Sequence, residues 1–133
     1  MKRKKNYGAI ICAAALLFTG MNAYAATGEH VEATITSYQT SAQSKNAIWN
    51  CQNNLELDGY NSSKSTNSLY VQCYEQRNNS VDRKEREMLL GAGNSNTDVW
   101  TLNAYNSGKA YYVKLNPKGA LKNGCNGSGT LYD

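Results

Sequence analysis

The chain has 133 residues, of which 41% are hydrophobic and 18% are charged, with 14 Lys and Arg against 10 Asp and Glu. Four of those basic residues and none of the acidic ones lie within residues 1–25, so the remaining 108 residues (133 minus 25) are formally neutral. A neutral chain of this size favours one small domain, at 26–133, and argues against nucleic acid as a partner.

Residues 1–25 have the features of a cleavable export signal. Four Lys and Arg residues near the start precede an apolar run at 9–18, and the small residues of Ala23-Tyr24-Ala25 follow. We therefore expect cleavage after Ala25 and a secreted or periplasmic location. The apolar run is too short to cross a bilayer, and no other stretch is long enough, so no membrane span is expected.

Three cysteines follow the signal: Cys51, Cys73 and Cys125. An exported chain meets an oxidising compartment, so at least one disulfide is expected. Cys51 and Cys73 are the favoured pair because both lie in strand-like runs, whereas Cys125 lies in a tail rich in Gly and Asn. Three pairings remain open from sequence alone, and Cys125 then stays free or bonds to another chain.

The first half of the chain predicts three strands. Residues 31–38 alternate apolar and polar side chains, residues 47–51 are short and aromatic, and residues 68–75 carry bulk on both faces. In the third strand, Leu69, Val71 and Cys73 share one face, and Tyr70, Gln72 and Tyr74 share the other. Residues 53–67 are polar and contain Asp58-Gly59, which predicts a hairpin turn or a long loop.

The second half predicts one helix among further strands. Residues 88–92 favour a fourth strand over a helix because glycines follow the apolar run. Residues 96–108 predict a short helix, with Asn96 as its cap and Gly108 as its end. Strands at 110–115 and 129–133 complete a mainly β fold, and this order is typical of a small barrel of the oligonucleotide/oligosaccharide-binding type (OB-fold), with five to six strands and one short helix.

The signals for catalysis are weak. His30 is the only histidine, so a Ser-His-Asp or Cys-His arrangement must use it, and no nucleophile motif flanks it. Three scattered cysteines and one histidine lack the spacing of a zinc site. Residues 124–129 are rich in glycine but lack the Lys and Ser/Thr of a phosphate-binding loop. We expect neither enzyme activity nor a cofactor or metal.

Eight of the ten tyrosines follow the export signal, several of them on predicted strands. An aromatic ring offers a sugar its flat apolar face, while nearby amides and hydroxyls bind the sugar hydroxyls. The alternative is that the rings fill the core. The predicted glycan-binding set lies on the first and third strands and comprises Ser37, Tyr38, Tyr70, Gln72 and Tyr74.

Trp100 and Ala104 lie on the side of the predicted helix opposite Val99 and Leu102. An exposed tryptophan is unfavourable, so these two residues are predicted to form a contact between subunits. The alternative is that the C-terminal tail covers the ring.

This layout resembles the receptor-binding B subunits of bacterial toxins built from one A and five B subunits, of the subtilase cytotoxin, typhoid toxin and Shiga type. The matching features are an export signal, an early strand, and the segments Ile48-Trp49-Asn50-Cys51, Val71-Gln72-Cys73-Tyr74, Ser107-Gly108-Lys109 and Gly124-Cys125-Asn126-Gly127. The resemblance implies a Cys51–Cys73 disulfide and a pentamer. The chain lacks the Tyr-Tyr-Ser segment that helps the typhoid type bind sialic acid, so that specificity does not carry over.

The expected function is therefore a secreted receptor-binding subunit that recognises a host-cell glycan or glycoprotein and delivers a separate catalytic toxin subunit. A periplasmic or secreted protein that binds and inhibits or assists another protein is the main alternative. A small secreted hydrolase is the third.

Overall fold

The computed structural model describes residues 30–49, 51, 54–102 and 109–133. Nine strands account for most of these residues: β1 (His30–Ile35), β2 (Ala42–Gln43), β3 (Ile48–Trp49), β4 (Asn54–Asn61), β5 (Leu69–Gln76), β6 (Arg83–Leu90), β7 (Ser95–Thr101), β8 (Ala110–Pro117) and β9 (Gly127–Tyr132). The predicted export signal and its predicted cleavage site lie outside the described residues. Across the described ranges there is no helix, and hence none that could span a membrane.

The strands form two antiparallel sheets packed face to face. Sheet A has the order β1-β9-β4-β7, and sheet B has the order β2-β8-β5-β6, with β3 also paired to β8. Buried apolar side chains from both sheets make one core between them. The predicted mainly β fold is confirmed. The predicted barrel is not what the described strands form, because they divide into two separate sheets that make a β-sandwich.

Alternation of buried and exposed side chains explains most strands. In β5, Leu69, Val71 and Cys73 face the core and are 0% exposed, as predicted. Strand β8 covers the predicted strand at 110–115, and β6 confirms that residues 88–90 are extended, although the strand begins earlier, at Arg83. Side chains that alternate in this way can cover a core on one face and meet solvent on the other.

The predicted helix at 96–108 is wrong where the structure describes it, because β7 occupies Ser95–Thr101. Seven residues of β7 pair with β4, and Trp100 lies opposite Leu55. Thr97, Val99 and Thr101 are β-branched and alternate with Trp100, which suits a strand with one face toward the core. The pairing with β4 therefore outweighs the helix-capping signals. Residues 103–108 lie outside the described residues.

The predicted turn at Asp58-Gly59 is also wrong, because both residues lie in the middle of β4. Gly59 faces the core, where an added Cβ would lie 2.9 Å from side-chain carbons of Val71 and Leu90. Glycine is needed there to make room for sheet B, and not to reverse the chain.

Sheet A is bare of side chains at the centre of its inner face. Gly59 pairs with Gly129 across β4 and β9. A Cβ on Gly129 would lie 2.8 Å from Val71 and 3.0 Å from Val113, both in sheet B. Side chains of sheet B therefore press against the backbone of sheet A at this point. The absence of side chains on Gly59 and Gly129 lets the two sheets approach each other closely here.

Candidate functional site

The outer face of sheet A carries an ordered array of polar side chains above that glycine pair. Strand register places one row of residues across all four strands, and it is called the central row: Glu32, Thr130, Asp58 and Thr97. The adjacent row is Thr34, Ser128, Tyr60 and Ser95. These two rows, together with Gly59, Asn96 and Tyr132, line a groove of about 760 Å³.

Two carboxylates of the central row flank the hydroxyl of Thr130. Asp58 has a protein partner, since the Thr97 hydroxyl donates to its Oδ1 at 2.6 Å. Glu32 has none at its Oε1, which is buried without a hydrogen bond among the described residues. Burial raises the pKa of the Glu32 carboxyl, and the charge of nearby His30 opposes that rise. Most buried polar groups in folded proteins are hydrogen-bonded, so this unpaired carboxylate oxygen is unusual.

Exposed aromatic rings stand toward the two ends of the groove. Tyr60 is 43% exposed and Tyr132 is 39% exposed. Tyr60 lies opposite Ser128 in β9, which is four residues before Tyr132, so the two tyrosines are about 13 Å apart along the sheet. Burial raises the pKa of the Tyr132 phenol, which keeps it neutral. The His30 ring lies beside it, with the ring centroids 5.8 Å apart.

The predicted glycan-binding residues lie elsewhere and are not all together. Tyr70, Gln72 and Tyr74 share the outer face of sheet B, as their alternation predicted. Ser37 and Tyr38 lie in the loop after β1, where the Ser37 amide donates to Asn126 Oδ1 at 3.1 Å. Tyr38 is 91% exposed. The structure thus brings three of the five residues onto one face, and no described contact joins the other two to them.

Several polar groups on the outer face of sheet B are hydrogen-bonded to one another. Gln72 is 6% exposed, donates to Glu87 at 2.6 Å and accepts from Asn116 at 2.6 Å. The rings of Tyr74 and Tyr112 stack with their centroids 5.6 Å apart. These side chains are occupied with one another, which makes this face a weaker candidate for ligand binding than the groove.

Sequence reasoning missed the residues of the groove. Its central row comes from four separate strands, and one of these, β7, was predicted to be a helix. The signal was present in β9, where Gly127 and Gly129 alternate with Ser128 and Thr130. Small residues facing inward beneath hydroxyls facing outward are the pattern that identifies this face.

The three cysteines in the described residues are separate buried thiols. Burial is the main cause that raises the pKa of both Cys51, to about 12, and Cys73. Cys51 is also close enough to Cys73 for its charge to raise the pKa of Cys73 further. Cys125 instead lies near the carbonyl of Asn67, at 3.2 Å from its sulfur. The Cys51–Cys73 disulfide stays a prediction, and alkylation with and without prior reduction, read by mass spectrometry, will test it.

The subunit contact at Trp100 and Ala104 was predicted because an exposed tryptophan is unfavourable, and that argument does not hold in the structure. Trp100 is 8% exposed and forms part of the core within one chain, with the Arg86 guanidinium 5.0 Å from its ring. The ring therefore needs no second subunit to cover it. Ala104 lies outside the described residues.

No protein-family model matches the sequence, and no curated protein matches it. Solved structures with some similarity include those of murine APRIL at pH 5.0, pH 8.0 and pH 8.5. Their TM-scores are 0.42, 0.40 and 0.41, with identities of 11%, 12% and 14%. Each alignment covers 79% of this chain and 100% of the other. Similarity at this level carries no conclusion about function.

Proposed function

We propose that this chain is an exported glycan-binding module and that the groove on sheet A is its ligand site. One observation carries the proposal: a row of hydroxyls and carboxylates crosses four strands between two exposed tyrosine rings. The proposal keeps the glycan-binding function expected from sequence and moves its site from sheet B to sheet A.

The chemistry of the groove suits sugars better than phosphates or acyl chains. Hydroxyl side chains such as Thr130 and Ser128 both donate and accept hydrogen bonds, as sugar hydroxyls require. The exposed faces of Tyr60 and Tyr132 offer apolar surface for the C–H side of a pyranose ring. The carboxylates repel phosphate groups, and a face this rich in hydroxyls and charge does not suit an acyl chain.

Alanine substitution on each face separates the two candidate sites. In Tyr60→Ala the groove loses one aromatic platform, so we expect glycan affinity to fall about tenfold or more. Tyr74→Ala is the matched control, because it removes the same ring from the outer face of sheet B. The measurement is glycan-array screening of the exported chain, followed by calorimetric titration of each variant. Loss of affinity in Tyr74→Ala alone would place the site on sheet B.

The module is proposed to bind its glycan without converting it. Incubation of a bound glycan with the chain, followed by chromatography of the sugar, should return it intact. Release of shorter sugars that stops in Glu32→Gln would instead identify a hydrolase, since a carboxyl with a raised pKa is suited to act as a general acid.

The wider role remains the one that the toxin resemblance implies: a secreted subunit that assembles into a pentamer and delivers a separate catalytic chain. Native mass spectrometry of the exported chain tests the assembly directly, and five copies are expected. A monomer at all concentrations would remove the toxin-subunit role but would leave glycan binding in place.

A further inference from the structure

We infer that the groove on sheet A selects uncharged or amino-bearing glycans and rejects acidic ones, with Glu32 as the residue that sets this preference. The inference deepens the proposed function and rests on it. The accepted class is neutral and amino-bearing glycans. The rejected class is acidic glycans, which carry sialic acid, uronate or sulfate groups.

The first step is the charge of the groove. Among the described residues that line it, the charged side chains are Glu32 and Asp58, and both are acidic. Glu56 lies one row away on β4, opposite Tyr132, and is acidic as well. An anionic sugar that enters this groove would lose hydration and meet like charge on both sides. Like-charge contact at a desolvated site opposes binding strongly.

The second step is the position of the two carboxylates. Glu32 in β1 and Asp58 in β4 are both opposite Thr130 in β9. They are therefore two strand spacings apart, about 10 Å between backbones. A sugar ring that lies over Thr130 has a carboxylate on each side of it. An acidic substituent that points across the strands therefore approaches one of the two carboxylates.

The third step is the difference between the two carboxylates. The charge of Asp58 is partly compensated by the hydroxyl of Thr97. Glu32 Oε1 has no hydrogen-bond donor among the described residues, and His30 is the group whose charge favours ionised Glu32. A ligand that brings N–H or O–H donors into the groove supplies what Glu32 lacks. An ammonium group supplies most, because hydrogen bonds between opposite charges are the strongest.

The matched test is an array of neutral, amino-bearing, sialylated, uronate and sulfated glycans, probed with the wild-type chain and with Glu32→Gln. For the wild type we expect acidic derivatives to bind at least tenfold more weakly than their uncapped parents. In Glu32→Gln the ratio of neutral-glycan affinity to acidic-glycan affinity should shrink several-fold, and any preference for amino sugars should fall. Glu87→Gln is the control, because it makes the same carboxyl-to-amide change on sheet B, and its selectivity should equal that of the wild type.

The outcomes separate this inference from the proposed function. If glycans bind and Tyr60→Ala weakens them, but acidic forms bind as well as neutral ones, the preference is overturned and the site stands. Equal selectivity in Glu32→Gln and the wild type would also overturn the role of Glu32. If no glycan binds, the proposed function fails, and the inference fails with it.

Discussion

The outer faces of the two sheets have similar side-chain composition but differ in how their polar groups are hydrogen-bonded. Each carries tyrosines, carboxylates and small polar side chains on alternate strand positions. On sheet B, Gln72 joins Glu87 to Asn116, and the Tyr112 phenol donates to Asp82 at 2.7 Å. On sheet A, Glu32 Oε1 has no partner among the described residues. The comparison teaches that pairing, more than composition, distinguishes a structural face from a candidate binding face.

The cause of the difference lies beneath the surface. Sheet B presents large apolar side chains to the core, whereas sheet A presents Gly59 and Gly129 at its centre. Bulky side chains below a sheet hold it away from its neighbour, and glycines let it approach. The groove therefore depends on Gly59, which lines it, and on Gly129 beneath it, and this dependence gives the largest predicted effect.

Gly129→Val should remove the groove from the outer face of sheet A and so abolish the difference in glycan binding between the two faces. A side chain at this position meets Val71 at 2.8 Å and Val113 at 3.0 Å, so the sheets must separate or the core must distort. Overpacking of this kind should lower the free energy of unfolding by about 3 kcal/mol and flatten the groove. Chemical denaturation and glycan titration measure the two effects.

Thr130→Val is the control for that variant, because it places the same valine side chain on the outer face of the same strand and changes only a hydroxyl to a methyl group. It should change stability by less than about 1 kcal/mol while weakening glycan binding. Equal stability of Gly129→Val and the wild type would show that the close approach of the two sheets is not needed.

Gln72→Ala tests whether sheet B is held by its polar pairing. The substitution removes a donor to the Glu87 carboxylate and an acceptor for Asn116 on a strand where Gln72 is 6% exposed. We expect the free energy of unfolding to fall by about 2 kcal/mol, with glycan affinity unchanged. Thermal unfolding beside calorimetric titration gives both values. A loss of affinity without a loss of stability would identify sheet B as the binding face.

Tyr74→Ala should lower stability and leave glycan binding unchanged, whereas Tyr60→Ala should weaken glycan binding and leave stability nearly unchanged. Tyr74 stacks on Tyr112 with centroids 5.6 Å apart and lies below the Lys114 ammonium at 5.7 Å, so its removal should cost about 1 kcal/mol. Tyr60 has no such stacking partner among the described aromatic contacts and is 43% exposed. Its removal should leave stability within about 0.5 kcal/mol. Denaturant titration of both variants checks the contrast.

Sequence alternation predicted the strands that carry the core and missed the face that carries the candidate site. Strands β1, β5 and β8 alternate clearly, so their positions were predictable from single-strand patterns. Strand β7 was predicted as a helix because Asn96 and Asp98 are common at helix starts. The β-branched residues of this segment also suit a strand, and the pairing with β4, which is a long-range property, decides between the two structures.

The candidate site was harder to predict for the same reason. Glu32, Asp58 and Thr130 are 26 to 98 positions apart in the chain and meet only through strand register. The tyrosines of β5 were predicted to bind glycans because two of them lie within five residues of the sequence. That cluster lies on the face where Tyr74 stacks on Tyr112. The residues of the groove form no such cluster in the sequence.

Glu32→Gln and Glu87→Gln should change the pH dependence of stability in opposite directions. Burial raises the pKa of the folded Glu32 carboxyl above its ordinary value of 4.5. Its contribution to stability is therefore present below about pH 4.5 and is lost as pH rises through the folded pKa. At pH 7 the charged carboxylate is a penalty, and replacing it by an amide should stabilise the chain slightly, since solvent screens part of the effect at this half-buried position. At pH 4 the two chains should unfold alike.

Glu87 gives the reverse case, because the hydrogen bond from Lys84 at 2.8 Å lowers the pKa of its carboxyl. That contribution is present at neutral pH and is lost as pH falls through the folded pKa, so Glu87→Gln should be slightly less stable than the wild type at pH 7. Thermal unfolding of the three chains from pH 4 to pH 8 measures both signs. A carboxylate that costs stability and is needed for binding belongs to a functional site, whereas one that adds stability belongs to the scaffold. If Glu32→Gln is destabilised at pH 7 like Glu87→Gln, Glu32 is a structural residue and the distinction between the two faces fails.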